Sequence, residues 1–396
     1  MQRRNLGILM ACQCMATAGA ALVVTIGGIA GTALAPEPAL ATVPISLMVV
    51  GTAATTVPAA FLMRRIGRRW GFVAAAVVAA GASVLAAVAL WLESFLLFCV
   101  ATLLIGGKLA FSQQYRFAAA ESVPVTASGR AVSLVLLGAV GGAFLGPELA
   151  TSPVPVAGNP FIGSFLAMAA LFLVAAALLM MLAELAQPEH AVEEGPRRPF
   201  TTVARQPLFV IAVLGGVVGQ GVMTFVMTAT PISMHVLDGY SLAETAEVIR
   251  AHVLAMYVPS LAAALLIGWL GTGRLMALGL AAFVATMVTA LQGHAYLHYW
   301  FSLVLLGVGW NFLFVGGTAL LVQSYRPEER FTAQAANDFC VFGVAALGSL
   351  LAGSVVHSAG WEGVLWGSMP LLATMAAALG WLAVVRRRQM LLRPAP

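Results

Sequence analysis

The chain has 396 residues, 61% of them hydrophobic and 9% charged, and its mean hydropathy is +0.96. A soluble protein of this size needs roughly 25% charged residues to cover its surface, so a water-soluble globular fold is excluded and lipid is the expected solvent. The net charge of +5 does not point to nucleic acid, because the basic residues gather at the ends of apolar runs rather than along one helix face.

The chain opens with Arg3 and Arg4 and then an apolar run from Leu6 to about Ile29. That run exceeds the roughly 7 to 15 residues of a signal-peptide core, so a first membrane span is expected there. Spans follow at 44–63, 72–92, 95–120, 131–150 and 161–184, and again at 206–233, 246–269, 275–293, 298–322, 335–357 and 363–385. Each is near the roughly 20 residues that cross a hydrocarbon core as helix. The fold class predicted is an all-α membrane protein of twelve spans. Between the sixth and seventh lies the one long polar connection, 186–205, with Pro188, Pro196 and Pro199 among Glu and Arg residues. It predicts a linker between an N-terminal six-helix bundle (1–185) and a C-terminal one (206–396).

Twelve spans put both termini on one side, and the arginines test that count. Arg3, Arg4, Arg64, Arg65, Arg68, Arg69, Arg130, Arg197, Arg198, Arg205, Arg274, Arg326, Arg330, Arg386, Arg387, Arg388 and Arg393 all fall on the side of the termini, and Lys108, Arg116 and Arg250 fall within spans. The positive-inside rule then predicts cytoplasmic termini and a multi-pass protein of the cell (inner) membrane. The four cysteines, Cys12, Cys14, Cys99 and Cys340, lie in apolar segments and read as small packing residues; no metal-ligand spacing is present.

The halves repeat. Ile105-Gly106-Gly107-Lys108-Leu109-Ala110-Phe111 parallels Val308-Gly309-Trp310-Asn311-Phe312-Leu313-Phe314, Val57-Pro58 parallels Val258-Pro259, and Gln13 with Thr17 parallels Gln220 with Thr224. Parallel six-span repeats are an architecture of secondary transporters, with the site between the halves near the bilayer midplane.

Two stretches carry a family resemblance. Arg65-Ile66-Gly67-Arg68-Arg69, in the loop after the second span, matches the end of the GxxxD(R/K)xGRR motif of the major facilitator superfamily; Ala60 replaces its leading Gly and Arg64 its Asp. Gly142-Ala143-Phe144-Leu145-Gly146-Pro147 is similar to the GxxxGP core of the family's antiporter motif, with Glu148 in place of the Gly that usually follows. The resemblance implies two bundles rocking about a central cavity, a small-molecule substrate and no cofactor. It also implies a cytoplasmic gate at the basic loop. Two readings of Asp338 stand there: a partner of Arg64, Arg65 or Arg116 in place of the missing loop aspartate, or a carboxylate that satisfies the N-terminal dipole of its own helix.

A charge inside a membrane costs about 2.5 to 3.5 kcal/mol on insertion scales and needs a wet cavity or a partner. Lys108 is predicted near the midpoint of a helix running from Ser94 to Val123, with Ser112 and Tyr115 at i+4 and i+7 forming one polar stripe. Two readings stand: a cavity stripe that binds an anionic or carbonyl-rich substrate together with Asn311, or a lysine paired for packing. Gln13, Thr17, Gln220 and Thr224 read as cavity hydrogen-bonders or interhelical glue. Ser241-Leu242-Ala243-Glu244 reads as a capping box, and Arg250 as a surface partner of Glu247. No nucleophile, base or paired carboxylates at membrane depth suggest an enzyme. The function expected is proton-coupled export of a small organic molecule by an antiporter, with uptake of a small polar or anionic nutrient or vitamin, by symport or uniport, as the alternative. The expected partners are substrate, protons and lipid, for a monomeric protein.

Overall fold

The computed structural model describes residues 2–122, 128–151, 156, 158–183, 198–326 and 329–391. The described chain is almost entirely helical. The first half contains α1 (Gln2–Leu34), α2 (Val43–Ile66), α3 (Arg68–Trp91), α4 (Phe95–Ser112), α5 (Tyr115–Glu121), α6 (Ser128–Thr151) and α7 (Pro160–Met180). The second contains α8 (Phe200–Ala204), α9 (Pro207–Pro231), α10 (Leu242–Tyr257), α11 (Ser260–Leu270), α12 (Thr272–Ala290), α13 (Tyr296–Val322) and α14 (Arg330–Leu391). Residues 186–197 of the expected linker lie outside the described residues.

Among the described residues, ten helices are long and apolar enough to cross a membrane. The difference from twelve has two physical causes. Thr332–Val385 is one stretch of 54 residues, which at 1.5 Å per residue is more than twice the thickness of a hydrocarbon core. Gly360, with φ of 69°, breaks it into the eleventh and twelfth crossings. The eighth crossing is split between α10 and α11, each too short to span alone.

The predicted capping box is present: the Ser241 amide donates to Glu244 Oε2 at 2.8 Å, and the Glu244 amide to Ser241 Oγ at 3.2 Å. It fixes where α10 starts.

Equivalent helices pack equivalently in the two halves. α1 lies along α6 as α9 lies along the first part of α14, and α2 lies along α4 as α10 lies along α13. The α1–α6 contact is close because of glycine. A Cβ on Gly142 would sit 2.5 Å from the Cys14 carbonyl oxygen, and one on Gly146 equally close to that of Ala18. Pro147 lies inside α6 one residue beyond. Between the halves, α2 meets α14 and α6 meets α10. Of the cysteines, Cys12 and Cys99 are buried as expected of packing residues, whereas Cys340 is exposed.

Candidate functional site

The predicted fourth span is not one helix. α4 stops at Ser112, a turn occupies Gln113 and Gln114, and α5 starts at Tyr115. Lys108 therefore lies one turn from the end of α4 rather than at the midpoint of a long helix. It is 2% exposed, with Nζ 4.8 Å from the Phe172 ring centroid of α7 and 6.0 Å from that of Tyr115. Nζ has no hydrogen-bond partner among the described residues. Ser112 Oγ donates to the Lys108 carbonyl at 3.1 Å, and Tyr115 packs edge-on against Phe72 of α3. The stripe thus faces the interior of the first bundle. Helical spacing fixes that these residues share a face, but not which neighbour that face meets.

The repeated polar pairs are formed twice. Gln13 Nε2 donates to Thr17 Oγ1 at 3.3 Å, and Gln220 Nε2 to Thr224 Oγ1 at 3.2 Å. Among the described residues the second is extended: Gln220 Oε1 accepts from the Trp310 indole at 2.8 Å. Trp310 stacks on Phe314 with centroids 4.9 Å apart and 13° between planes, and Tyr257 meets it edge-on at 6.1 Å.

Asn311, the residue after Trp310, holds the broken eighth crossing. Pro259 lacks an N–H and its ring crowds the carbonyl four residues back, so α10 ends at Tyr257. The Asn311 amide donates to the freed Met256 carbonyl at 2.7 Å and to Ser260 Oγ. The duplicate proline behaves otherwise, since α2 runs through Pro58 without interruption. The two prolines occupy equivalent places in the repeat. One half keeps a continuous helix, and the other opens one. Asn311→Leu is expected to strand the Met256 carbonyl and lower thermal stability by about 1 to 3 kcal/mol, read from unfolding of the purified protein; an unchanged unfolding curve would remove this role.

The break faces the other bundle. A cavity of about 30 Å³ beside it is lined by Leu136 and Leu137 of α6 and by Tyr257, Ser260 and Leu261. Arg116 on α5 lies within electrostatic reach of both Tyr257 and Asp338 of α14. The Asn337 amide donates to Asp338 Oδ1 at 3.1 Å. Aromatic faces, an amide, a cation and a carboxylate from both halves are thus grouped around one helix break, the setting in which transporters place substrate sites.

The basic loop makes contacts within its own bundle. Gly67 takes φ of 82°, Arg68 Nη1 donates to the Gln114 carbonyl at 3.4 Å, and Arg69 Nη2 donates to the Met180 carbonyl at the end of α7. Arg65 is exposed, and the side chain of Arg64 lies outside the described residues. Of the three expected partners for Asp338, the structure brings up Arg116.

At the end of the molecule away from the termini, the halves are in contact. Ser349 of α14 bonds to Ser46 of α2 at 2.9 Å and to Thr228 of α9 at 3.0 Å. Arg250 pairs with Glu247 as expected, at 2.8 Å, and also reaches Glu148 of α6 at 3.6 Å. His252 is buried, with Nδ1 on the Leu303 carbonyl at 2.8 Å, a contact that serves α10–α13 packing.

Tyr257, Trp310 and Phe314 were not singled out by the sequence. A signal was there: within the repeat, Trp310 stands where the first half has Gly107. A large aromatic replacing a glycine marks a place where the halves do different work.

Two six-helix bundles with a lined helix break between them define a membrane transporter of small molecules, not an enzyme. The chain belongs to the major facilitator superfamily, whose sequence pattern it matches over residues 8–249. It is 40% identical over 382 residues to the riboflavin transporter RfnT of Brucella anthropi, covering 95% of each chain. It is 28% identical to the uncharacterized MFS-type transporter YddS of Bacillus subtilis, over 90% of this chain and 86% of that one. Among solved structures, the nucleoside transporter NupG aligns with a TM-score of 0.69 at 13% identity, over 95% of this chain and 98% of that one. A bacterial homolog of the human lysosomal transporter Spinster aligns at 0.71 and 12%, over 100% and 99%.

Proposed function

We propose that this protein imports a planar heteroaromatic vitamin of the flavin class by alternating access, with residues 1–185 and 206–396 as the two rocking bodies. The observation that carries the reading is the Trp310–Phe314 stack with Tyr257 edge-on, set beside the helix break at the boundary between bundles. Stacked aromatic faces favour a flat π-system over an aliphatic or purely anionic substrate. The 40% identity to a riboflavin transporter supports the same class. Export by an antiporter, the direction suggested by the fifth-span motif, loses that support, because Gly142 and Gly146 are accounted for by close contact with α1. The arginine distribution supports a place in the cell membrane with cytoplasmic termini.

The test is uptake of radiolabelled riboflavin by cells that cannot make it, with and without this protein. Growth and uptake only with the protein are expected; no uptake, with the protein shown to be in the membrane, would overturn the reading. Purified protein in liposomes with an imposed pH gradient separates symport, where flux follows the gradient, from uniport, where it does not.

Arg116 and Asp338 belong to opposite halves and form the gate in this reading. Neutralising Asp338 removes its electrostatic attraction to Arg116 across the halves. Asp338→Asn is therefore expected to cut flux at least roughly tenfold, with partial recovery when the two charges are exchanged. Wild-type flux in Asp338→Asn would remove the gate role.

A further inference from the structure

A cluster at the end away from the termini takes no part in the site described above. The turn between α12 and α13 places His294 between two carboxylates. Its Nδ1 lies 2.8 Å from Asp238 Oδ2, and its Nε2 lies 2.9 Å from Glu362 Oε1. Asp238 follows the wide helical turn Ile232–Leu237 that ends α9, and Glu362 follows the break at Gly360. The Tyr299 hydroxyl donates to Asp238 Oδ2 at 2.7 Å and meets the Ser233 hydroxyl at 2.6 Å. The Tyr240 hydroxyl donates to the His294 carbonyl at 2.8 Å. The cluster joins the ends of the seventh, tenth and twelfth crossings.

The geometry sets a chemical requirement. Ionised carboxylate oxygens only accept hydrogen bonds, and a neutral imidazole has one N–H and one lone pair. Satisfying both carboxylates at once takes two N–H groups, which only the imidazolium has. A neutral ring would turn a lone pair toward Asp238 or Glu362.

We propose that His294, Asp238 and Glu362 form a proton-binding site that fastens the end of α9 when His294 is charged and releases it when the ring is neutral. The same segment reaches the other bundle, because Ile232 packs against Gly28 of α1. Proton occupancy on this face therefore bears on how firmly the two halves stay together there, whatever the substrate.

The groups facing His294 are Asp238 from the turn after α9, Glu362 from α14 and the Tyr299 hydroxyl from α13, while His298 on the first turn of α13 stands against Gly293. The Glu362 carboxylate, and after it Asp238, hold the His294 pKa above its ordinary 6.5 despite partial burial. A raised histidine pKa gives a contact that is fully present below the ordinary value and is lost as pH rises through the raised one.

Hydrogen exchange of the purified full-length protein in detergent, from about pH 5.5 to about pH 8.5, tests this without any substrate. The rates are corrected for their intrinsic pH dependence against amides of α3. Protection of residues 232–240 is expected to fall at least roughly tenfold across the range, with a midpoint above the ordinary histidine value. In His294→Gln it is expected to be low and flat, and in Glu362→Gln the midpoint is expected to move down. Intact α3 protection establishes that each variant is folded; should His294→Gln lose it, Glu362→Gln decides. Flat protection in the wild type, the same pH dependence in a folded His294→Gln, or an unmoved midpoint in Glu362→Gln would overturn the proposal.

Discussion

Trp310→Ala is expected to weaken riboflavin binding by a factor on the order of 10 to 100. Stacking of a flat base on an aromatic side chain is worth about 1 to 3 kcal/mol, and about 1.4 kcal/mol is tenfold in affinity. In this protein the indole is fixed on two sides, by the Gln220 amide oxygen at 2.8 Å and by the parallel Phe314 ring. Its orientation therefore exists before a ligand arrives, and little ordering cost is charged against binding. Trp310→Phe keeps a π-face but loses the Gln220 bond, so an intermediate loss is expected, and Gln220→Leu should resemble it. Quenching of flavin fluorescence on titration with purified protein measures all three. Undiminished quenching in a folded Trp310→Ala would place the ring elsewhere.

The second expected result is arrest of transport by a single cross-link. Ser46 and Ser349 have their hydroxyl oxygens 2.9 Å apart, one on α2 and the other on α14, where the halves are in contact. In a background with Cys12, Cys14, Cys99 and Cys340 replaced, Ser46→Cys with Ser349→Cys should oxidise readily and reduce flux to background. Reductant should restore it, and either single substitution should retain flux. An interface that opens in each cycle cannot do so with a covalent bond across it. Full flux with the cross-link shown complete by gel shift would mean that these residues stay together throughout the cycle. That outcome would leave the Trp310 result untouched, because the two predictions concern different parts of the molecule.

The polar pairs show how far the sequence could be read. Gln13 with Thr17 and Gln220 with Thr224 were visible as a repeat, and each pair forms the same i, i+4 hydrogen bond. The difference between them was not visible, because it depends on Trp310 arriving from another helix. The two prolines give the same lesson. Pro58 and Pro259 are equivalent in the repeat, yet only Pro259 opens its helix, where Asn311 crosses from α13 to take the freed carbonyl. Lys108 was the most conspicuous residue in the sequence, and it turned out to lie inside one bundle over Phe172.

By itself the sequence determined the solvent, the count of crossings and the duplication, because these follow from apolar length, from the placement of arginines and from spacing along one chain. Only the tertiary structure decided which face of each helix meets a neighbour. That depends on side chains distant in sequence, such as Asn311 beneath Pro259, Trp310 against Gln220 and Gly142 against Cys14. For that reason the proposed site lies at the break in the eighth crossing rather than at Lys108.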